Sequence, residues 1–407
     1  MDTIEQMWTK PGGGRPQTRQ GFIDAARGLA MLFVLTSHFS FTYFPDQTAL
    51  TPTTLRLIGM VASPTFMIIN GLLIGFLCRT RRNDFDHLQV AFTDRGLLLL
   101  SVGHLLILGS HVAWYTTRFL SITDTVAVCM LIGPRLAVRL RPAQRLLLGV
   151  IAFGLSWLVV QGWHPQDVLL KAIQETLFGS LTPTVYVYAF PVLPWLGLDL
   201  AASALGSRLG DHYLRQDTRA MQRLLLRIAA IGGCAAVVLN GTYHLASYES
   251  HGNAFLTSLH ALASPFHKEP PALDYVLFYG SIGLCLLSAT LHLTERNRLP
   301  WLMRRATELG QTSFVVFVFQ FYVYFTGLTA VRAYLPFRAW WPVYLAASVV
   351  TILLPALAWH RRGYNRFLTV GYRRLEKSRW NVPLRIGKWA PAVSLPHQEN
   401  PTTVPIK

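Results

Sequence analysis

The sequence predicts an all-α polytopic membrane protein with about ten transmembrane helices and both termini in the cytoplasm. Of its 407 residues, 52% are hydrophobic and only 14% are charged, whereas soluble proteins usually carry about a quarter charged residues. The apolar residues gather into long runs, and runs of roughly 18 or more are typical of bilayer-spanning helices. The net charge of +17 would suit nucleic acid only if the basic residues formed one patch. They recur instead between the apolar runs, so no nucleic-acid partner is expected.

Ten apolar segments are predicted to cross the membrane: residues 25–44, 56–77, 96–114, 120–138, 146–161, 183–206, 224–245, 272–293, 311–331 and 339–359. An even number of spans places both ends on one side, and Lys and Arg concentrate in cytoplasmic loops. With the N-terminus inside, 31 of the 37 Lys and Arg residues fall on the cytoplasmic side. Every inside segment then holds more of them than any outside loop. Since one missed or surplus span would scramble this alternation, the charges support the predicted topology.

The domain organisation follows from the same pattern. Residues 1–20 are predicted to form a cytoplasmic N-terminal tail, 21–360 the transmembrane domain, and 361–407 a basic cytoplasmic C-terminal tail. No A-x-A-like cleavage site follows the first span, so we expect it to stay in the protein. The absence of a phosphate loop and of a soluble domain in the sequence disfavours an ATP-driven pump and a receptor with a globular head.

The cysteines and histidines do not suggest a metal site. The four cysteines contain no C-x-x-C pair, which disfavours a zinc site, and they do not suggest a disulfide framework. The histidines of the outer loop 244–269 have spacings unlike a usual zinc motif. We expect this loop to bind a sugar instead, because its aromatic and hydrogen-bonding groups suit sugars.

The first span carries three ionisable side chains, Asp24, Arg27 and His38. Asp24 precedes Arg27 by three residues, near enough on a helix for an ion pair. Arg27 and His38 are eleven positions apart, so they share one helix face about 16.5 Å apart along the axis. Ionisable groups at this depth cost several kcal/mol unless they face a cavity or a partner, which makes them functional hypotheses. The alternative is a snorkelling arginine with a histidine that hydrogen-bonds a neighbouring helix.

This arrangement favours chemistry on a long cytosolic donor. A guanidinium at the cytoplasmic end suits phosphate, and an imidazole deeper in the groove suits general-base catalysis or nucleophilic transfer near neutral pH. Acyl-coenzyme A has phosphates at one end and a thioester at the other, and the acceptor would then arrive from the opposite side. The geometry leaves open a transporter or flippase without acyl-transfer chemistry. The sequence shows no paired repeats with broken helices, which many transporters contain.

Three further polar residues are candidates. Asp124, near the external end of the fourth span, would either orient the imidazole of His38 or cap the start of its own helix. Arg95, at the start of the third span, would either add a second phosphate contact or be one more residue of the positive-inside pattern. His104 is interpreted as an interhelical hydrogen bond rather than a ligand.

Small and helix-breaking residues give other hypotheses. Asn70 would contact substrate, while Gly71 and Gly75 beside it form a small-xxx-small pair that suits close helix packing. In the sixth span, Pro191 and Pro194 are predicted to break backbone hydrogen bonds and kink the helix. Such a kink would either border the reaction chamber or be purely structural.

Several stretches resemble the transmembrane acyltransferase superfamily. FIDAARGLAMLFVLTSH (22–38), with Arg27 and His38 separated by ten residues, resembles the R-x10-H pattern of its first helix. Relatives in the superfamily are the acyltransferase-3 and glucan succinyl-modifying families. The stretches most similar to the heparan-α-glucosaminide N-acetyltransferase-like family are SPTFMIINGLLIGF (63–76), TDTVAVCMLIGPRL (123–136), FPVLPWLGLDLAASALG (190–206) and EPPALDYVLFYGSIGL (269–284).

The resemblance implies that residues 21–360 form a transmembrane acyltransferase domain. Such an enzyme moves an acyl group, acetyl being the leading candidate, from cytosolic acyl-CoA to a hydroxyl or amine of an extracytoplasmic glycan or sugar. Acyl-CoA is a co-substrate, and no cofactor is expected. The resemblance gives His38 the catalytic role, as a base or as a transiently acylated group. The residues themselves add the remaining assignments: Asp124 as catalytic, Arg27 and Arg95 as acyl-CoA-binding, and Asp24 and Asn70 as supporting.

The topology and the resemblance also predict the partners and the location of the protein. Membrane lipid surrounds the protein, and a homodimer is one option for its assembly. The ten-span layout with short tails favours the bacterial inner membrane, although a lysosomal relative would share these helices.

One late stretch departs from the family pattern. In the family, a Gly-Arg-x-Ser/Ala stretch followed by a histidine is common there, whereas LGQTSFVVFVFQF (309–321) has Gln311 and Gln320. A neutral amide can hydrogen-bond a substrate but cannot exchange protons at pH 7. If this position takes part in chemistry elsewhere in the family, its role has changed here.

Overall fold

A computed structural model describes residues 21–110, 118–186, 188–249, 262–264, 267–335 and 338–372. The predicted N-terminal tail, most of the outer loop 244–269 and residues 373–407 lie outside the described residues. The predicted domain boundaries therefore stay predictions.

Helices make up nearly all of the described chain, which confirms the all-α polytopic fold. In chain order they are α1 (Gly21–Tyr43), α2 (Leu50–Met60), α3 (Ala62–Thr80), α4 (Phe85–Leu98), α5 (His104–Leu108), α6 (Ile122–Arg139), α7 (Pro142–Gly162), α8 (Val168–Leu177), α9 (Val192–Leu214), α10 (Thr218–Glu249), α11 (Leu273–Glu295), α12 (Pro300–Gln311), α13 (Ser313–Phe321), α14 (Thr329–Val331) and α15 (Trp341–Arg361). Short 3₁₀ turns lie at Arg82–Asp84, Arg338–Trp340 and Tyr364–Phe367.

Two π-helical segments interrupt long helices. Leu99–Gly103 joins α4 to α5, and Tyr322–Leu328 joins α13 to α14. Wide π turns are rare, and those that proteins contain are frequently found at functional sites. Here one directly precedes His104, and the other directly follows α13, which carries Gln320.

Eight stretches of the described chain are long and apolar enough to cross a membrane: Gly21–Tyr43, Leu50–Thr80, Arg82–Leu108, Pro142–Gly162, Thr218–Thr242, Leu273–Glu295, Ser313–Val331 and Trp341–Arg361. The two remaining predicted segments, 120–138 and 183–206, correspond to α6 and α9. Both are long helices, and both carry charged residues, among them Asp124 and Asp199. The orientation of the termini stays a prediction.

The predicted proline kink in the sixth span is wrong. Pro191 precedes α9 as its N-cap, and Pro194 lies in the first turn of the helix. The first N–H groups of a helix have no intrahelical partner, so proline costs no hydrogen bond there. The two prolines therefore begin the helix, and the predicted segment 183–206 started nine residues before α9 does.

Glycines bring α3 and α9 into backbone contact. A Cβ atom at Gly75 would lie 1.8 Å from the carbonyl oxygen of Ser203, and one at Gly206 would lie 2.1 Å from that of Leu72. At Gly71 the same atom would lie 2.0 Å from the carbonyl oxygen of Asp199. The predicted packing role of Gly71 and Gly75 is confirmed, since only a residue without a side chain fits at these distances.

Helix α1 packs closely against α12. A Cβ atom at Gly28 would lie 1.9 Å from the carbonyl oxygen of Ala306, and one at Gly310 would lie 1.8 Å from that of Asp24. Farther along α1, the buried side chain of Phe39 shares an apolar cluster with α13 and the following π segment. These contacts set α12 beside the start of α1, and α13 beside its later turns.

Two short strands from separate loops pair near the C-terminal end of α1. Strand β1 (Phe119–Leu120) runs parallel to strand β2 (Tyr188–Ala189). The buried carboxylate of Glu175 accepts hydrogen bonds from the backbone N–H groups of residues 184–186. The Arg118 side chain donates to two carbonyl oxygens of the same loop. Phe119, on β1, is thereby held where it packs against Phe321, with ring centroids 6.2 Å apart.

Candidate active site

The polar stripe on α1 begins with an ion pair. The Nη1 atom of Arg27 lies 3.2 Å from Oδ1 of Asp24, as the three-residue spacing predicted. The second carboxylate oxygen of Asp24 accepts a long hydrogen bond of 3.5 Å from Nε2 of Gln311, at the end of α12. Asp24 is buried, whereas the Arg27 side chain keeps 19% of its surface exposed. The guanidinium is therefore held by Asp24 and remains partly exposed.

His38, three turns farther along α1, is oriented by a glutamine. Its Nδ1 atom lies 2.9 Å from Oε1 of Gln320 on α13. Because an amide oxygen can only accept, Nδ1 donates this bond, and in the neutral ring Nε2 then has the lone pair that a general base uses. Gln320 is fully buried, and its Nε2 atom has no hydrogen-bond partner among the described residues.

Aromatic rings form one wall beside His38. The rings of Phe321 and Phe325 meet the imidazole edge-on, with centroids 5.6 and 5.4 Å from it. The two phenyl rings stack on each other at 5.2 Å, and Phe119 packs on the outer side of Phe321. Such edge-to-face contacts fix the plane of the imidazole. The hydrogen bond to Gln320 and these two aromatic contacts, all among the described residues, help to hold the ring in place.

Asp124 contacts a different histidine from the one that the sequence suggested. Both of its carboxylate oxygens lie 3.0 Å from Nδ1 of His104 on α5. One of them also accepts hydrogen bonds from the backbone N–H and the hydroxyl of Ser121, at 2.8 and 3.0 Å. The predicted helix cap is confirmed, and so is the interhelical hydrogen bond of His104. A direct catalytic role of Asp124 stays a prediction.

Asn70 is part of a buried polar pair. Its Nδ2 atom donates to Oδ1 of Asp199 on α9 at 2.7 Å. Asp199 is completely buried, and its Oδ2 atom has no partner among the described residues. The sequence analysis missed Asp199, although an aspartate inside an apolar run is itself a signal of function or of tight pairing. Whether Asn70 contacts substrate stays a prediction.

A second buried group that the sequence does not single out is Arg145 on α7. Its side chain is 2% exposed and donates to the hydroxyls of Ser203 and Ser207 on α9, at 3.0 and 2.7 Å. It also donates to the carbonyl oxygen of Ser203 at 3.1 Å. These bonds tie α7 to α9, beside the helix pair that glycines hold together.

Arg95 lies inside α4 rather than at the start of a span, because this helix continues unbroken from Phe85. Its side chain is half-buried. The neighbouring Asp94 is buried and accepts a hydrogen bond of 2.9 Å from the backbone N–H of Tyr372, in the segment after α15. The role of Arg95 toward donor phosphates stays a prediction.

Within the outer loop 244–269, residues 244–249 form the end of α10, and residues 262–264 and 267–269 are also described. There the Nδ1 atom of His267 donates to the carbonyl oxygen of Pro270 at 2.9 Å, and burial lowers the pKa of this imidazole. Trp157 of α7 donates to the carbonyl oxygen of Pro271 at 2.9 Å. His267 is therefore neutral at pH 7 and fixes the loop where it meets α7 and α11. An acceptor-binding role for this loop stays a prediction.

The chain was compared with known families and with curated proteins. The family model described as heparan-alpha-glucosaminide N-acetyltransferase, catalytic, matches residues 19–238. This is more than half of the chain, and the match includes Arg27, His38 and Asp124 but not Gln320. No curated protein matches the chain. The chain belongs to the heparan-α-glucosaminide N-acetyltransferase family and is an integral-membrane acetyltransferase.

Proposed function

We propose that this protein transfers an acyl group, acetyl first, from acyl-CoA bound on the cytoplasmic side to an extracytoplasmic glycan or sugar. One observation carries the proposal. A single face of α1 holds an accessible guanidinium at one end and, about 16.5 Å farther along the axis, an imidazole oriented by Gln320. These two groups suit the two ends of the donor.

Arg27 would bind the donor phosphates. A guanidinium has five N–H donors in a fixed fork, so its bond to Asp24 can coexist with bonds to phosphate oxygens. Asp24 and Gln311 hold the group in position before the donor arrives. Preorganisation of this kind lowers the entropy cost of binding.

His38 would act as the general base. Its Nε2 atom removes the proton from the acceptor hydroxyl or amine while that oxygen or nitrogen attacks the thioester carbonyl carbon. The carbon–sulfur bond then breaks, and the departing thiolate takes the proton from the imidazolium. General acid–base catalysis of this kind contributes roughly 10²- to 10⁴-fold in rate. In the alternative route Nε2 itself attacks the thioester, and the acceptor removes the acyl group from the imidazole in a second step.

The family description suggests the class of acceptor. An α-glucosaminide presents an amine on a sugar, so a glucosamine-terminated oligosaccharide is the first acceptor to try. An N-acetylglucosamine-terminated oligosaccharide has the same hydroxyls with the amine blocked. Activity with the first and not the second would indicate N-acetylation, whereas activity with both would indicate transfer to a hydroxyl.

The test is coenzyme A release by the purified full-length protein given acetyl-CoA, with each oligosaccharide and with a crude extracytoplasmic glycan fraction. We expect His38→Ala to abolish release while acetyl-CoA binding persists, and Arg27→Ala mainly to weaken donor binding. His164→Ala, which replaces an exposed histidine between α7 and α8, serves as the control and should change neither.

Two results would contradict the proposal. If the folded protein neither binds acetyl-CoA nor releases thiol, the donor site on α1 is wrong and the transporter alternative gains support. If thiol release persists in His38→Ala, another group performs the chemistry.

The sidedness of the reaction is tested separately. With the N-terminus inside, the loop between α1 and α2 that contains Asp46 would face outward. An Asp46→Cys variant should then react with a membrane-impermeant maleimide in intact bacterial cells. Labelling only after the cells are broken would reverse the proposed orientation and place the Arg27 end outside.

A further inference from the structure

A cleft of 180 Å³ lies between α4, the end of α6 and the segment that follows α15. Its lining side chains combine one aromatic ring, one guanidinium and several smaller polar groups. They are Asp86, Gln89, Val90, Thr93, Arg135 and Tyr372. Of these residues, Tyr372 was met above through its backbone bond to Asp94. The family match ends far before Tyr372, and the other five lining residues lie within it.

The wall of the cleft that contains Tyr372 is a strap, defined here as residues 364–372. The strap is tied at both ends. Nδ2 of Asn365 lies 3.5 Å from the carbonyl oxygen of Gln311, and the backbone N–H of Tyr372 donates to Asp94 at 2.9 Å. Gln311 in turn contacts Asp24, the ion-pair partner of Arg27.

These ties place the cleft at the Arg27 end of the molecule. Seven residue steps separate Asn365 from Tyr372, so an extended strap spans at most about 25 Å. One tie touches the residue beside Arg95, and the other leads through Gln311 to the partner of Arg27. The strap therefore connects the neighbour of Arg95 with the residues that hold Arg27, the two arginines predicted to bind the donor.

The chemistry of the lining suits a nucleotide. An aromatic ring such as Tyr372 provides a face on which a base can stack, and the Arg135 guanidinium suits phosphate. Nη2 of Arg135 lies 3.4 Å from the hydroxyl of Thr93, which holds the guanidinium toward α4. Asp86 and Gln89, themselves hydrogen-bonded at 3.1 Å, offer an acceptor and an amide for the amino and hydroxyl groups of a nucleoside.

We propose that this cleft binds the adenine-nucleotide end of the acyl-CoA donor, an inference that rests on the proposed function. The cleft is smaller than the roughly 300–1,000 Å³ that encloses a drug-sized ligand. It therefore takes one end of the donor, and the pantetheine arm leads from it past Arg27 toward His38. The strap and Arg135 select a donor that carries a nucleotide.

Binding of two probes, coenzyme A and adenosine 3′,5′-bisphosphate, tests the cleft with the full-length protein in detergent. We expect Arg135→Gln and Tyr372→Ala each to raise the Kd for both probes about tenfold, within the range for one lost stacking or phosphate contact. Tyr372→Phe keeps the ring and should bind like the wild type. Arg139→Gln removes an exposed charge one turn along α6 and outside the cleft, so it should leave the Kd unchanged.

A truncated donor separates binding at the cleft from general damage. S-acetyl-pantetheine has the thioester but no nucleotide, so the cleft contributes nothing to its use. We expect Arg135→Gln and Tyr372→Ala to raise KM for acetyl-CoA and to leave turnover of S-acetyl-pantetheine at the wild-type rate. The backbone N–H that ties residue 372 to Asp94 remains in both Tyr372 variants, so the strap keeps its anchor.

The outcomes are distinguishable. If the wild type binds coenzyme A and Arg135→Gln and Tyr372→Ala bind it equally well, the cleft is not the nucleotide site, and the proposed function stands. If both donors are affected equally, these residues act on folding and the inference is wrong. If the wild type binds no acyl-CoA at all, the proposed function itself fails.

Discussion

Two histidines of this protein, His38 and His104, have similar surroundings, but their hydrogen-bond partners differ in charge. His38 and His104 both use Nδ1, both bond to a neighbouring helix at 2.9 to 3.0 Å, and both lie beside a π-helical segment. His38 faces the amide of Gln320, whereas His104 faces the carboxylate of Asp124.

The charge of the partner decides what each imidazole can do. A carboxylate stabilises a protonated ring, while an amide fixes the tautomer and adds no charge. A general base must be neutral before the reaction and must have its lone pair directed at the substrate. The amide of Gln320 therefore orients a neutral His38 without adding charge, whereas the carboxylate of Asp124 would stabilise the imidazolium of His104 and links α5 to α6.

Replacing each histidine in turn gives the largest expected contrast. His38→Asn should lower kcat/KM about a thousandfold, since general-base catalysis contributes roughly 10²- to 10⁴-fold. His104→Asn should lower it less than tenfold, because the residue would act through helix packing alone. Thiol release from acetyl-CoA under identical conditions measures both, and equal losses would remove the distinction between the two histidines.

Exchanging the partner of His38 sharpens the comparison. Gln320→Glu makes this pair resemble that of His104, and its carboxylate would stabilise the imidazolium. The fraction of neutral base at pH 7 should fall, so activity should drop about tenfold and recover as the pH rises. Gln320→Leu removes the hydrogen bond without adding charge and should lower activity at every pH. A rate–pH profile for each variant measures the effect, and a Gln320→Glu profile unshifted from the wild type would contradict it.

The smallest expected effect on activity is at Asp124. Asp124→Asn keeps an oxygen for the helix cap but loses the charged bond to His104, at a cost of about 2 kcal/mol in stability. Activity at a temperature below unfolding should stay within about threefold of the wild type. Thermal unfolding in detergent and thiol release together test this. An unchanged melting temperature with a large loss of turnover would give Asp124 the catalytic role.

Patterns local to one helix were predicted well from the sequence. The spacing of Asp24 and Arg27 fixed their ion pair, and the four-residue spacing of Gly71 and Gly75 identified the face that packs on α9. Both depend only on helix geometry. The kink at Pro191 and Pro194 was predicted wrongly because the sequence does not show where α9 begins. Proline costs no hydrogen bond in the first turn of a helix, whereas it breaks one in the helix interior.

Contacts between distant parts of the chain could not be predicted in the same way. Gln320 meets His38 across 282 residues, and nothing in either helix alone gives their relative rotation. The same holds for Asp124, since its choice between two histidines depends on how α5 lies against α6. The sequence singled out Gln320 only because it departs from the family pattern, and in the structure this residue hydrogen-bonds His38.

The π-helical segment Tyr322–Leu328 makes the length of the chain matter near His38 as much as its composition. A π turn accommodates one residue more than an α turn. Deleting a single residue from this segment would let the ordinary α-helical hydrogen bonds form, and the helix beyond it would keep its direction, because only the extra residue of the π turn is lost. The side chains within the segment, Phe325 among them, would change their register relative to Gln320, which stays in place. The aromatic wall beside His38 therefore depends on the number of residues in this segment.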